Sequence, residues 1–96
     1  IKRKRRMGQI NVPKEGLQFV NEEGKILLEV KQTERGGVFF IYNSEGKVVI
    51  SMWAGKDGGG LMIFNKEGRP IAEIGALEQG GIFTLYDNKG NVIFEK

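Results

Sequence analysis

The sequence predicts an all-β protein: a tandem array of four 22-residue β-hairpins, prism- or solenoid-like, completed by oligomerisation. Three observations predict it. One repeat runs through the chain without losing register, its apolar runs are too short for helices, and each hairpin carries apolar side chains on both faces. Asn21, Asn43, Asn65 and Asp87 lie 22 residues apart, and Gly24, Gly46, Gly68 and Gly90 follow at the same spacing. The pairs Gly36-Gly37, Gly58-Gly59 and Gly80-Gly81 recur at that interval too, so the repeat is real and precedes any other reading of the fold.

Residues 1–15 form a basic N-terminal segment, either a lead-in strand or a tail, and residues 16–96 form the repeat domain. The first unit, 16–35, sets "LQFV" before the turn and "ILLEV" after it. The turn itself is N-x-x-G: Asn bonds back to the local backbone, and Gly three residues on accepts positive φ. A type I turn ending in a left-handed glycine, with a bulge in the following strand, is a common hairpin connection. The second unit, 36–57, is the richest in β-formers, with "GVFFIY" and "KVVISM". The third, 58–79, places Pro70 first after the turn, where a missing ladder donor is tolerated. The fourth, 80–96, repeats the pattern as "GGIFTLYDNKGNVIFE". No unit has the length or the 3.6-residue period of a helix. The glycine pairs are expected to be connections between separate hairpins.

If Asn21 pairs with Lys25, simple antiparallel counting sets Val20 against Ile26, Phe19 against Leu27 and Gln18 against Leu28. One face then holds Leu17, Phe19 and Leu27 with their equivalents, and has Glu29, Ser51, Glu73 and Glu95 at its rim. The other holds Val20, Ile26, Leu28 and Val30 in the first copy, and Phe40, Tyr42, Ile50 and Met52 in the second. Both faces therefore need cover. At ~25 cal/mol per Å2, a wet second face would forgo many kcal/mol over four repeats. Either the array curls into a closed barrel or several chains pack around a common axis. A parallel homotrimer, a three-sided prism with one hairpin per layer per chain, is the favoured form. Tyr42, Trp53, Phe64 and Tyr86 are the expected interface residues: three form an aromatic column beside the turns, and Trp53 ends the second hairpin.

Composition narrows the chemistry. Ninety-six residues that are 40% apolar suit one small domain. A monomer of that size hides only about 60–65% of its chain surface, so association would help. There is no Cys and no His, which removes disulfides, thiol nucleophiles, thiolate zinc sites and the commonest general base. With two Ser, two Thr and two Asp, neither a nucleophile–base couple nor calcium-binding β-roll repeats are expected. The expectation is no enzyme, no catalytic residue, no metal and no cofactor. "AGKDGGG" lacks the phosphate-loop spacing and precedes no helix, so it reads as an ordinary connection. No apolar run reaches the 18 residues of a membrane helix. The chain opens on Ile rather than Met and is expected to be a fragment or processed product.

Charge is concentrated at one end. The run Lys2, Arg3, Lys4, Arg5 and Arg6 supplies five of fifteen bases; without it ten bases face twelve acids, a balance of −2. Such a run binds polyanions or anionic lipid, or is simply a solvated tail.

At "GGVFFIYNSEGKVVI", "GGLMIFNKEGRPIAEIG" and "GGIFTLYDNKGNVIFE" the chain resembles bacterial tandem β-hairpin repeat proteins with GGxLxLY[DN]xxGKxxAxL-type units. The likeness covers residues 16–96, and the first copy departs from it with Glu15 in place of a glycine, as a capping repeat does. The resemblance implies a cell-envelope setting near a membrane anchor or stalk, and no assigned activity. Tyr86-Asp87-Asn88-Lys89-Gly90 is also similar to the tyrosine–aspartate repeats of bacterial toxin shells, although Asn91 departs from that motif and four copies could enclose no cargo. The expected function is a non-enzymatic structural, oligomerising or adhesive module of an envelope or fibre protein. The alternative is a polyanion- or membrane-surface-binding protein acting through its basic cluster.

Overall fold

Short alternating segments punctuated by tight turns leave the chain one local option, a strand paired with its sequence neighbour. The computed structural model describes residues 8–96, and from Leu17 on every strand pairs with its sequence neighbour. Eight strands form a single open antiparallel sheet in sequence order: β1 (Leu17–Val20), β2 (Ile26–Thr33), β3 (Gly36–Tyr42), β4 (Val48–Gly55), β5 (Gly58–Phe64), β6 (Pro70–Leu77), β7 (Gly80–Tyr86) and β8 (Val92–Glu95). Among the described residues there is no helix, and residues 8–16 contain no strand.

The N-x-x-G turns close the hairpins β1–β2, β3–β4, β5–β6 and β7–β8. At Asn43 the backbone N–H donates to Lys47 O at 2.8 Å, and Gly46 N–H donates to Asn43 O at 3.0 Å. The Asn43 side-chain oxygen accepts two more bonds, from the N–H groups of Glu45 at 2.9 Å and Lys47 at 3.0 Å. Gly46 takes φ 84°, the left-handed step that a side chain would resist.

The glycine pairs do more than connect. Thr33 pairs with Gly36, Gly55 with Gly58, and Leu77 with Gly80, each across a two-residue loop. These joints are hairpin turns as tight as the others, so the four hairpins fuse into one continuous meander. No described non-glycine residue has positive φ; at the joint after β4 the left-handed step falls on Gly58, at 139°.

Register corrects the face assignment made from the sequence. Val20 does oppose Ile26, but a bulge then shifts the ladder, so Phe19 opposes Leu28 and Gln18 opposes Glu29. The same shift recurs in all four hairpins. The extra residue is Leu27 of the second strand, which lies between the partners of Val20 and Phe19, and beyond it the two strands exchange partners relative to simple counting. Since opposed residues share a face, Glu29 leaves the side of Leu17 and Phe19 and joins Gln18, Phe40 and Tyr42.

One face therefore carries a row that crosses every strand: Gln18, Glu29, Phe40, Ser51, Met62, Glu73, Thr84 and Glu95. The other face carries two parallel rows. One is Phe19, Leu28, Ile41, Ile50, Ile63, Ala72, Leu85 and Phe94; the second is Leu17, Val30, Phe39, Met52, Leu61, Ile74 and Phe83. All fifteen are apolar. The sheet has no interior of its own: no described hydrophobic residue is buried, and the two buried residues are Glu29 and Thr84.

Candidate functional site

The mixed polar face is organised around carboxylates. Glu29 is only 7% exposed. It accepts a hydrogen bond from the Tyr42 hydroxyl at 2.6 Å and one from Gln18 Nε2 at 3.0 Å, with Lys31 Nζ at 3.9 Å. The Tyr42 and Gln18 bonds, helped by Lys31, hold the Glu29 carboxyl below its usual range. Tyr42, which donates its hydroxyl to that carboxylate, is pushed up to about 12 by this bond and by desolvation. Two hairpins on, the Tyr86 hydroxyl donates to Glu73 at 3.3 Å, and its titration is raised by desolvation and by the Glu73 charge. Thr84 Oγ1 donates to Glu95 at 3.4 Å.

At the junction between these two, Ser51 of the second hairpin stands where Glu29 and Glu73 do, and Phe64 of the third stands where Tyr42 and Tyr86 do. The hydroxyl is present where a carboxylate faces it and absent where none does. The polar column is thus matched pair by pair across the hairpin junctions. This tuning opposes acid–base chemistry at neutral pH: a carboxylate made a weaker base and a phenol made a weaker acid are poorly suited to move protons. Among the described residues no group of three His, Cys, Asp or Glu could hold a metal ion.

Trp53 lies on the same face as Ser51 and is paired with Gly60. A Cβ on Gly60 would stand 2.5 Å from the indole ring. The corresponding residues of the flanking hairpins are Val38 and Ile82, so the third glycine of "AGKDGGG" makes the bed for the indole. That triplet, read as an ordinary connection, is part connection and part packing surface.

Tyr42, Trp53, Phe64 and Tyr86 all sit half-buried on this polar-centred face, and both phenolic hydroxyls are used within the sheet. The opposite face carries the more exposed bulk: Phe19 45%, Met52 40%, Ile63 38%, Ile74 48%, Phe83 38% and Phe94 45%. Phe83 and Phe94 meet edge to face, with ring centroids 6.0 Å apart. Two rows across eight strands cover on the order of 500 Å2 in projection, from ~4.8 Å between strands and ~3.4 Å per residue. That is at the upper limit for an uncovered patch on a monomer. Sequence reasoning placed these residues on two different faces because it counted straight on from the turn and missed the bulge at Leu27, Val49, Ile71 and Ile93, apolar residues that nothing in the pattern sets apart. Lys2, Arg3, Lys4, Arg5 and Arg6 lie outside the described residues.

No protein-family model matches the chain, and no curated protein is significantly similar to it.

Proposed function

We propose that this protein is a non-enzymatic structural or adhesive repeat module whose sheet is completed by copies of itself. A single observation carries the reading: fifteen apolar side chains form two unbroken rows on one face, and six of the large ones stand well exposed. Burying that face is worth ~25 cal/mol per Å2 removed from water. We favour three copies around an axis parallel to the strand-stacking direction. The apolar band is about 14 Å wide at ~3.4 Å per residue, so three such walls leave an inner radius of about 4 Å. The apolar side chains projecting from each wall, Phe among them, fill that space without a channel. The resemblance to bacterial hairpin-repeat proteins supports an envelope or fibre setting.

Light scattering tests it, with an expected mass three times the 10.7 kDa chain. Ile63→Asp or Ile74→Asp should dissociate or aggregate the assembly. Tyr42→Asp and Phe64→Asp, on the other face, test whether that side also contributes. A well-behaved monomer from the unmodified chain refutes the proposal.

The second reading is binding of polyanions or anionic membrane surfaces through Lys2 to Arg6, supported by five bases in a run beside an otherwise acidic body. Deleting residues 1–7 should then abolish retention on heparin and on anionic vesicles; unchanged retention removes this reading.

A further inference from the structure

We infer that copies of this chain join edge to edge, β8 of one against β1 of the next, continuing the meander in the register it uses internally. The interaction surface is the pair of open sheet edges, and the partner is a second copy of the same chain. This goes beyond the covering of the apolar face and does not depend on it.

The register comes from the ladder itself. At the three junctions between hairpins, Leu28 opposes Ile41, Ile50 opposes Ile63, and Ala72 opposes Leu85. Each pair lies 22 residues beyond the last. The next member of the series is Phe94 opposite the equivalent of Phe19. In the same way Glu29–Phe40, Ser51–Met62 and Glu73–Thr84 lead to Glu95 opposite Gln18. Strand β8 thus ends the chain's described sheet where a first-of-hairpin strand is due, and β1 is such a strand.

The side chains suit this junction. Phe19 and Phe94 end the same apolar row at opposite edges of the sheet, and each is 45% exposed. Opposed aromatics of this kind stabilise a cross-strand pair. On the other face, Gln18 Nε2 has one hydrogen on Glu29 and a second available, while Glu95 is exposed and met only by Thr84 at 3.4 Å. Gln18 can therefore bridge Glu29 of its own sheet and Glu95 of the neighbouring copy. No described strand pairs with the outer side of β1 or β8. Strand β1, Leu-Gln-Phe-Val, has neither charge nor proline, the residues that usually blunt an edge.

Such a contact is head-to-tail, so it propagates instead of closing a dimer. Eight strands per copy give a rise of about 38 Å per subunit at ~4.8 Å per strand.

The chain has no cysteine, which makes the test clean. In the Gln18→Cys/Glu95→Cys variant the two thiols stand at opposite edges of one sheet, about 34 Å apart by strand spacing. Mild oxidation should yield a non-reducing ladder of dimers, trimers and longer species. The register control Gln18→Cys/Val92→Cys should yield several-fold less. Phe19→Lys or Phe94→Lys, added to the first pair, should remove the ladder, and Phe19→Lys with Phe94→Glu should restore it. Equal ladders from both cysteine pairs overturn the register, and no ladder overturns the contact. A disulfide-closed monomer would show instead that β1 and β8 of one chain meet as a barrel, and would also overturn the inference.

Discussion

Tyr42→Phe tests whether the matched Glu–Tyr column stabilises the sheet. The substitution removes one hydroxyl and leaves the ring on the same face. It deletes the 2.6 Å bond to a carboxylate that is 7% exposed. A hydrogen bond to a charged group contributes roughly 1.5–3 kcal/mol when its partner would otherwise be orphaned. Glu29 keeps Gln18 at 3.0 Å and Lys31 at 3.9 Å, so the expected cost is smaller, about 1–2 kcal/mol. With a urea m-value of about 1 kcal/mol/M for a chain of this size, the midpoint should fall by about 1–2 M at fixed protein concentration. The pH dependence separates this from a packing effect. The folded carboxyl titrates below its usual 4.5, so the contribution of Glu29 is present above that value and is lost as pH falls through the lowered one. The folded phenol is raised from 10.0 to about 12, so its contribution is present below pH 10.0 and is lost as pH rises toward 12. The gap between native and variant should be widest from about pH 5 to 9 and should narrow on both sides. A midpoint change that is negligible at pH 7, or equally large at pH 3, would refute the reasoning, as would zero coupling in a cycle with Glu29→Gln.

Three further outcomes follow from the structure. Ser51→Glu should destabilise by about 1–2 kcal/mol when it faces Phe64, and adding Phe64→Tyr should recover most of that loss; urea midpoints of the two single variants and the double give the coupling. Gly46→Ala should cost about 1 kcal/mol through its left-handed φ of 84° alone, since nothing lies within 4 Å of the added methyl. Gly60→Val should cost more, about 2–3 kcal/mol, with a shifted tryptophan emission, because its Cβ meets the indole at 2.5 Å. Trp53→Ala should relieve much of the Gly60→Val penalty, and equal losses for the two glycine variants would show that the indole does not rest on Gly60.

The all-β class, the four hairpins and their Asn–Gly turns were legible in the sequence because they are local. An Asn oxygen that bonds two N–H groups up to four residues on, and a glycine that takes positive φ, leave the chain one nearby conformation. Strict 22-residue spacing then fixed the count of strands. The partnership of Glu29 with Tyr42 was not legible, because the two lie in different hairpins and share a face only through the bulged register. A one-residue shift, invisible in hydrophobic alternation, moves every later side chain to the other side of the sheet. For that reason Phe19 and Leu28, assigned to opposite faces by counting, prove to be neighbours. Gly60 is similar: its role as the bed of Trp53 depends on strand β5 lying against β4 in one particular register. Local chemistry determined the elements; the pairing of strands, which depends on backbone hydrogen bonds between distant residues, decided which face is polar and which is left apolar and uncovered.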